Sequence, residues 1–399
     1  MVSIRLNTGS AYGNPWKRGH CMNFFVTLTT ACDLQCRYCY GECCDDFVVG
    51  DDFGTDGGCV EVDYGLPRAI SYETEALARF LSRDEDATVI FYGGEPLLEI
   101  PKMLELMDAL PAKRFLLHTN GTMLDRIPAG YLGRLHTISI SIDGDRALTD
   151  YYRGEGVYDL ITGNARKARE NGFGGELIAR MTVMEETDIY RQVTHLLDND
   201  AFAFPGVHWQ LNALFWRNDR VRRHFSQWAR DSYNPGITRL VRDWVRAMGE
   251  EGRVLKVYPF VGICQSLLRG EQTQLRCGAG WAEYNVQTDG HVSPCPVMSG
   301  MKNFYAGDIS GSPAGLRKVP IGGKCDGCEI RGICGGRCLY ANMTMKWGPD
   351  GFDEVCGTVR HLIGQLQNAL PEIRQLLAAG TIKESDFDHM RYNSCEIIP

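Results

Sequence analysis

The chain has 399 residues, 44% hydrophobic and 23% charged, with a net charge of −8. That length admits two or three units of roughly 150 residues, or one large α/β barrel with an appendage, and the acidic balance argues against a nucleic-acid partner, which needs clustered Lys and Arg. No apolar run approaches the roughly 18–20 residues that span a bilayer and residues 1–20 hold no apolar signal core, so no membrane partner and a cytoplasmic location are expected.

Residues 22–30 (MNFFVTLTT) are rich in β-branched and aromatic side chains and predict a strand that runs into a cysteine cluster. Further strands are predicted over 87–92, ending in Gly-Gly, 114–119, ending in Asn-Gly, 136–142, ending in Asp-Gly, 175–183 and 207–213. Between them, apolar residues near i, i+3 and i+4 predict helices over 72–82, 101–110, 124–132, 158–170 and 188–198. This alternation implies a parallel sheet, and six units rather than eight imply a partial (β/α)6 TIM-type barrel over 1–213. Chemistry in such α/β folds sits at the carboxyl ends of the strands, where the cysteines, Gly-Gly-Glu-Pro, Asn-Gly and Asp-Gly all fall. Residues 43–66 read as an acidic, Gly-rich loop insertion. Residues 214–263, with Trp216, Trp228 and Trp244 among arginines, read as a mostly helical bridge. Residues 264–364 have the composition of a small Cys-rich unit built around inorganic centres, and 365–399 read as a closing helix (365–379) and tail.

Sixteen residues are cysteine. Without a signal peptide they lack the oxidising compartment that disulfides need, and their short spacings point to metal or cluster ligation. They form two groups: Cys21, Cys32, Cys36, Cys39, Cys43, Cys44 and Cys59, then Cys264, Cys277, Cys295, Cys325, Cys328, Cys334, Cys338, Cys356 and Cys395. Cysteines used only as small core hydrophobes would not leave so long a gap. Cys32-x3-Cys36-x2-Cys39 puts three thiolates on one short loop. Three thiolates can hold three irons of a [4Fe–4S] cube and leave the fourth open, whereas a closed electron-transfer cluster takes four. Zinc completed by Cys43 or Cys44 is the alternative. In Gly93-Gly94-Glu95-Pro96 the glycines permit close backbone approach, and the glutamate can accept a hydrogen bond from a bound amine.

The cysteine loop with Tyr38 before its third cysteine, the Gly93–Pro96 motif and the partial barrel together resemble the radical S-adenosylmethionine (SAM) superfamily. The resemblance implies that Cys32, Cys36 and Cys39 hold a [4Fe–4S] cluster whose open iron chelates SAM. Reductive cleavage then yields a 5′-deoxyadenosyl radical that abstracts hydrogen from substrate. It further implies cofactor contacts from Tyr38, from Gly93, Gly94 and Glu95 along the methionine amino group, and from Ser141 of Ser141-Ile142-Asp143-Gly144 at the ribose. Asn120 and Arg180 are lesser contacts; an Asn-Gly turn and a barrel-filling salt bridge read those two equally well.

The pattern Cys277, Gly290, Cys295, Cys325-x2-Cys328-x5-Cys334-x3-Cys338 and Cys356 resembles the seven-cysteine SPASM extension of radical SAM enzymes. Seven thiols exceed one tetrahedral zinc site, and the resemblance implies two auxiliary [4Fe–4S] clusters, three clusters in all. By motif position Cys325, Cys328, Cys334 and Cys356 would hold the distal one, and Cys277, Cys295 and Cys338 the proximal one, completed by Cys264 or left open. Cys21, Cys59 and Cys395 read as free thiols, and Cys43 and Cys44 as loop thiols.

The same resemblance implies a peptide or protein substrate, an electron donor such as flavodoxin or ferredoxin, and an oxidative outcome such as a cross-link, dehydrogenation or formylglycine formation. Pro296 stands where sulfatase maturases place a catalytic aspartate, which counts against formylglycine unless Asp289 or Asp308 substitutes. About twenty residues precede the first strand, too few for a leader-recognition domain. The substrate is then expected to be short, leaderless, held by the bridge or delivered by a separate protein. A sulfatase or small-molecule substrate, or a non-catalytic iron–sulfur or zinc scaffold, are the competing readings.

Overall fold

The computed structural model describes residues 22–39, 52–53, 58–59, 61–215, 220–393 and 395–399. Cys21, Cys43, Cys44, Trp216 and the side chain of Cys59 lie outside the described residues.

Six parallel strands pair in chain order: β1 (Asn23–Thr29), β2 (Thr88–Gly93), β3 (Arg114–Thr119), β4 (Leu135–Ser141), β5 (Glu176–Val183) and β6 (Gly206–Leu211). All six predicted strands are present, displaced by a residue or two at their ends. Side chains alternate across a strand, and the two faces differ here. Phe24, Val26, Val89, Phe91 and Leu117 pack in the main core with Phe80 and the other helix residues. On the opposite face Phe25, Tyr92 and His118 touch edge to face across β1, β2 and β3. That second face is the barrel lumen, and it carries polar residues among the apolar ones.

Helices α1 (Thr74–Leu81), α2 (Ile100–Ala109), α3 (Arg146–Arg153), α4 (Val157–Glu170) and α5 (Ile189–Leu197) connect the strands. The predicted helix over 124–132 does not form as one element. Pro128 lacks an N–H and holds Ile127 extended, so a short 3-10 turn (Leu124–Arg126) and a single α-turn (Ala129–Leu132) stand in its place. Helix α3 was not anticipated. Asp145 caps it by accepting from the Leu148 N–H at 3.0 Å.

The second half of the chain completes the same sheet. Strand β7 (Lys256–Val257) pairs with β6. Strand β8 (Glu283–Val286) pairs in parallel with β1, and β9 (His291–Ser293) and β10 (Gly307–Asp308) extend that edge. The segment after β6 is mainly helical, with α6 over Asn234–Glu251, and its Trp228 and Trp244 are buried in the core. Helix α7 (Tyr258–Arg269) runs straight through the expected unit boundary at 264. The closing helix α8 (Gly348–Ala378) is 31 residues long, begins well before the predicted start and carries Cys356. The tail crosses the lumen. Asn23 donates to the carbonyls of Arg391 and Tyr392, Ser139 Oγ lies 3.6 Å from Cys395 Sγ, and Asn393 and Cys395 are fully buried.

Candidate active site

The cysteine loop leaves the carboxyl end of β1 and is half-exposed, with Cys32 the most open of its three thiols. Two neighbours hold it. The Asn120 side-chain amide donates to Asp33 at 2.7 Å and lies 3.9 Å from Cys32 Sγ, while Thr122 donates to the other Asp33 oxygen at 2.7 Å. From α3, the Tyr152 carbonyl accepts from the Arg37 N–H at 2.9 Å, and the Arg37 guanidinium lies 4.3 Å over the Tyr151 ring. Partial burial, ahead of neighbouring acids, pushes the Cys32 thiol up to about 11, so ligation there would release a proton.

Gly93 and Gly94 serve the loop directly. A Cβ on Gly94 would meet the Ala31 carbonyl at 2.2 Å, and the N–H groups of Gly94 and Glu95 donate to Thr29 and Ala31. Glu95 also holds the neighbouring strand ends. It is fully buried and accepts from the Leu97 N–H at 3.0 Å, the Thr119 hydroxyl at 2.7 Å and the Asn120 N–H at 2.7 Å. These three donors lock the ends of β2 and β3 together, two on one carboxylate oxygen and one on the other, which leaves an acceptor site for a further donor. Burial raises it to about 7 against these bonds.

Tyr38 is likewise occupied. Its hydroxyl donates to Asp143 at 2.7 Å, and Arg153 forks onto the same carboxylate at 2.7 and 3.1 Å while covering the Tyr38 ring. The Thr182 N–H donates to Asp143 as well. Asp143 thus ties the cysteine loop to α3 and β5. Sequence reasoning quoted this residue but assigned it nothing; an acid in a strand-end turn beside Ser141 was the available signal. Ser141 itself is half-buried at the end of β4, and its hydroxyl makes no hydrogen bond among the described residues. Arg180 pairs with Ser141 across β4 and β5 and donates to Gln210 at 3.1 Å, with its Nε buried and unpartnered. It makes no salt bridge among the described residues.

The C-terminal thiols fall into two sets. Cys325, Cys328, Cys334 and Cys356 line one cleft of about 470 Å³, counted out to solvent, together with Lys324, Arg331, Arg337 and Arg360. Burial and then the other three thiols push Cys325 up to about 12. Four thiols ringed by four cations suit a closed, anionic cluster. Gly335, Gly336 and Arg337 all take left-handed backbone conformations, and the Gly336 and Arg337 N–H groups cradle Cys334. Cys338 follows directly but does not line that cleft, and its charge acts on Cys277 and Cys295. Cys264 is buried on α7, and the charge acting on it is Arg276 rather than a thiolate. Among the described residues, no three Cys, His, Asp or Glu side chains converge closely enough to hold a single ion. Asp289 bonds to His291 and Asp308 to Ser310, both on the outer hairpin.

Residues 26–197, from β1 to the end of α5, match the model of the radical SAM superfamily. Pre-heme d1 synthase of Dinoroseobacter shibae is 23% identical over 376 residues, 82% of this chain and 84% of that protein. Two solved structures share the fold. The anaerobic sulfatase maturase anSMEcpe with bound AdoMet and a peptide superposes with a TM-score of 0.65 at 16% identity, covering 90% of this chain and 99% of that one. SuiB of Streptococcus suis bound to its precursor peptide SuiA gives 0.52 at 14% identity, covering 81% and 72%.

Proposed function

We propose that the chain is a radical SAM enzyme of the SPASM type that abstracts hydrogen from a residue of a peptide or protein and oxidises it further through two auxiliary clusters. The observation that carries this reading is the arrangement of thiols: three on a half-exposed loop at the lumen mouth, and two further sets joined to the same sheet. A [4Fe–4S] cluster with SAM on its open iron would supply the one-electron cleavage that generates the 5′-deoxyadenosyl radical.

The chain's own residues then have distinct tasks. Cys32, Cys36 and Cys39 would hold the cluster. Asn120, Thr122 and the Asp143 hub keep their loop in place. The Ser141 hydroxyl would be free to bind the ribose, and the Gly93 and Gly94 backbone would border the methionine end. The strand ends around Tyr92, Ser141 and Arg180, which the tail leaves half-exposed, would receive the target residue. The substrate would give up a hydrogen atom to the deoxyadenosyl group, and then one electron and one proton. The net change is a two-electron oxidation. Cys325, Cys328, Cys334 and Cys356, with Cys277, Cys295 and Cys338, would hold the centres that accept the electron. A flavodoxin or ferredoxin in the cytoplasm would suit as donor of the initiating electron.

The peptides bound by the two fold neighbours support a peptide substrate, and Pro296 and the outward placement of Asp289 and Asp308 count against formylglycine formation. A small-molecule substrate is the second reading, favoured by the name of the Dinoroseobacter shibae relative. The test is anaerobic reconstitution, reduction with dithionite and incubation with SAM and candidate peptides. Deoxyadenosine together with a peptide lighter by two hydrogens is the expected result. Metal analysis showing chiefly zinc would overturn the reading.

A further inference from the structure

The proximal thiol set has only three cysteines, and Cys264 faces Arg276. One other side chain is directed toward that set. Glu283 opens β8, six residues after Cys277, and the intervening turn folds back on itself. The Glu283 N–H donates to the Gly278 carbonyl at 2.8 Å, and the Gly280 N–H donates to the Glu283 carbonyl at 3.0 Å. A Cβ on Gly278 would lie 3.1 Å from the Glu283 Cβ, so the acid stands against the residue next to Cys277. Glu283 is 2% exposed, and its Oε2 is buried without a hydrogen-bond partner. An ionised carboxylate left so would be costly; such groups are found paired or on metals. Its charge acts on Cys277 more strongly than either other thiol of the set does, and it acts on Cys295 too.

We propose that Glu283 is the fourth protein ligand of the proximal auxiliary cluster, completing the set of Cys277, Cys295 and Cys338. The inference rests on the auxiliary-cluster reading above. Ligands of a cube each reach a different iron, so they stand apart around the cluster instead of converging on one point. A carboxylate is a harder ligand than a thiolate and marks one iron as different from the other three. Among the described residues this carboxylate is the acid placed beside both Cys277 and Cys295. Register with Asn23, and the charge of Arg180 acting on it, put Glu283 on the lumen side of β8.

The test uses the full-length chain with Cys32, Cys36 and Cys39 replaced by alanine, which removes the radical cluster and should leave about eight irons. Mössbauer spectra of this protein should show one oxygen-ligated iron subsite. Glu283→Cys should keep the iron and convert that subsite to the sulfur-ligated type. Glu283→Ala should either lose about four irons or shift the proximal EPR signal, whereas Cys264→Ala should change neither. The proposal is overturned if Glu283→Cys leaves the spectrum unchanged, or if Cys264→Ala loses as much iron as Cys295→Ala. Failure of the underlying reading looks different: Cys295→Ala would then cost no iron at all.

Discussion

Glu95 and Ser141 lie close to the same strand ends but differ in what surrounds them, and their variants should separate accordingly. Replacing Glu95 with alanine strands the Leu97 and Asn120 N–H groups and the Thr119 hydroxyl, all buried. Each unsatisfied donor costs about 1–3 kcal/mol, so a loss on the order of 3 kcal/mol or more is expected in the urea unfolding of the iron-free chain. Ser141→Ala removes a hydroxyl with no bond to lose. Its cost in the same unfolding experiment should stay under about 1 kcal/mol, while SAM affinity, measured by equilibrium binding, should fall by about tenfold, the worth of one hydrogen bond. An unchanged affinity would remove Ser141 from the cofactor site.

At the scale of elements, the cysteine loop depends on helix α3. Asp143 and Arg153 form a buried ion pair, 0% and 5% exposed, that also fixes Tyr38. Breaking a buried pair by removing one partner costs about 3–5 kcal/mol because the remaining charge is left unpaired. Arg153→Ala should therefore lower thermal stability and also reduce iron retained by the loop, read as a fall in iron per chain after desalting. Helix α8 gives the complementary case. Cys356 sits within it, on one wall of the four-thiol cleft. Alanine is the best helix former, so Cys356→Ala should leave circular dichroism unchanged and cost about four irons. Retention of those irons would place the distal ligand elsewhere.

The ten-stranded sheet takes strands from both halves of the chain. Strand β8 of the Cys-rich half flanks β1, and the tail from Met390 onward covers Phe25, Ile90 and Leu116 inside the barrel. A chain ending at 389 would uncover these side chains, each worth about 1.5–3 kcal/mol when buried. The expected result is a loss of several kcal/mol in denaturant unfolding together with new binding of a hydrophobic dye. A truncated chain as stable as the full one would show that the tail is merely draped over the lumen.

The amino-acid sequence by itself determined the strands, because doubly buried parallel strands are written as continuous runs of branched and aromatic residues such as Phe24–Leu28. It also put Cys32, Cys36 and Cys39 on one short loop, because spacing along a loop is a local property. The broken segment at Pro128 carried its own warning, and Asp143 was visible beside Ser141. Other features depended on contacts between residues far apart in the chain. That Glu95 accepts from Thr119 and Asn120 follows only once β2 and β3 lie side by side. That Cys264 turns toward Arg276, and that Glu283 is placed beside Cys277 and Cys295, follow from the packing of α7 and from the pairing of β8 with β1. Spacing in sequence says which thiols can reach a common centre, but burial and the partners supplied by distant segments decide which polar groups remain free to bind it.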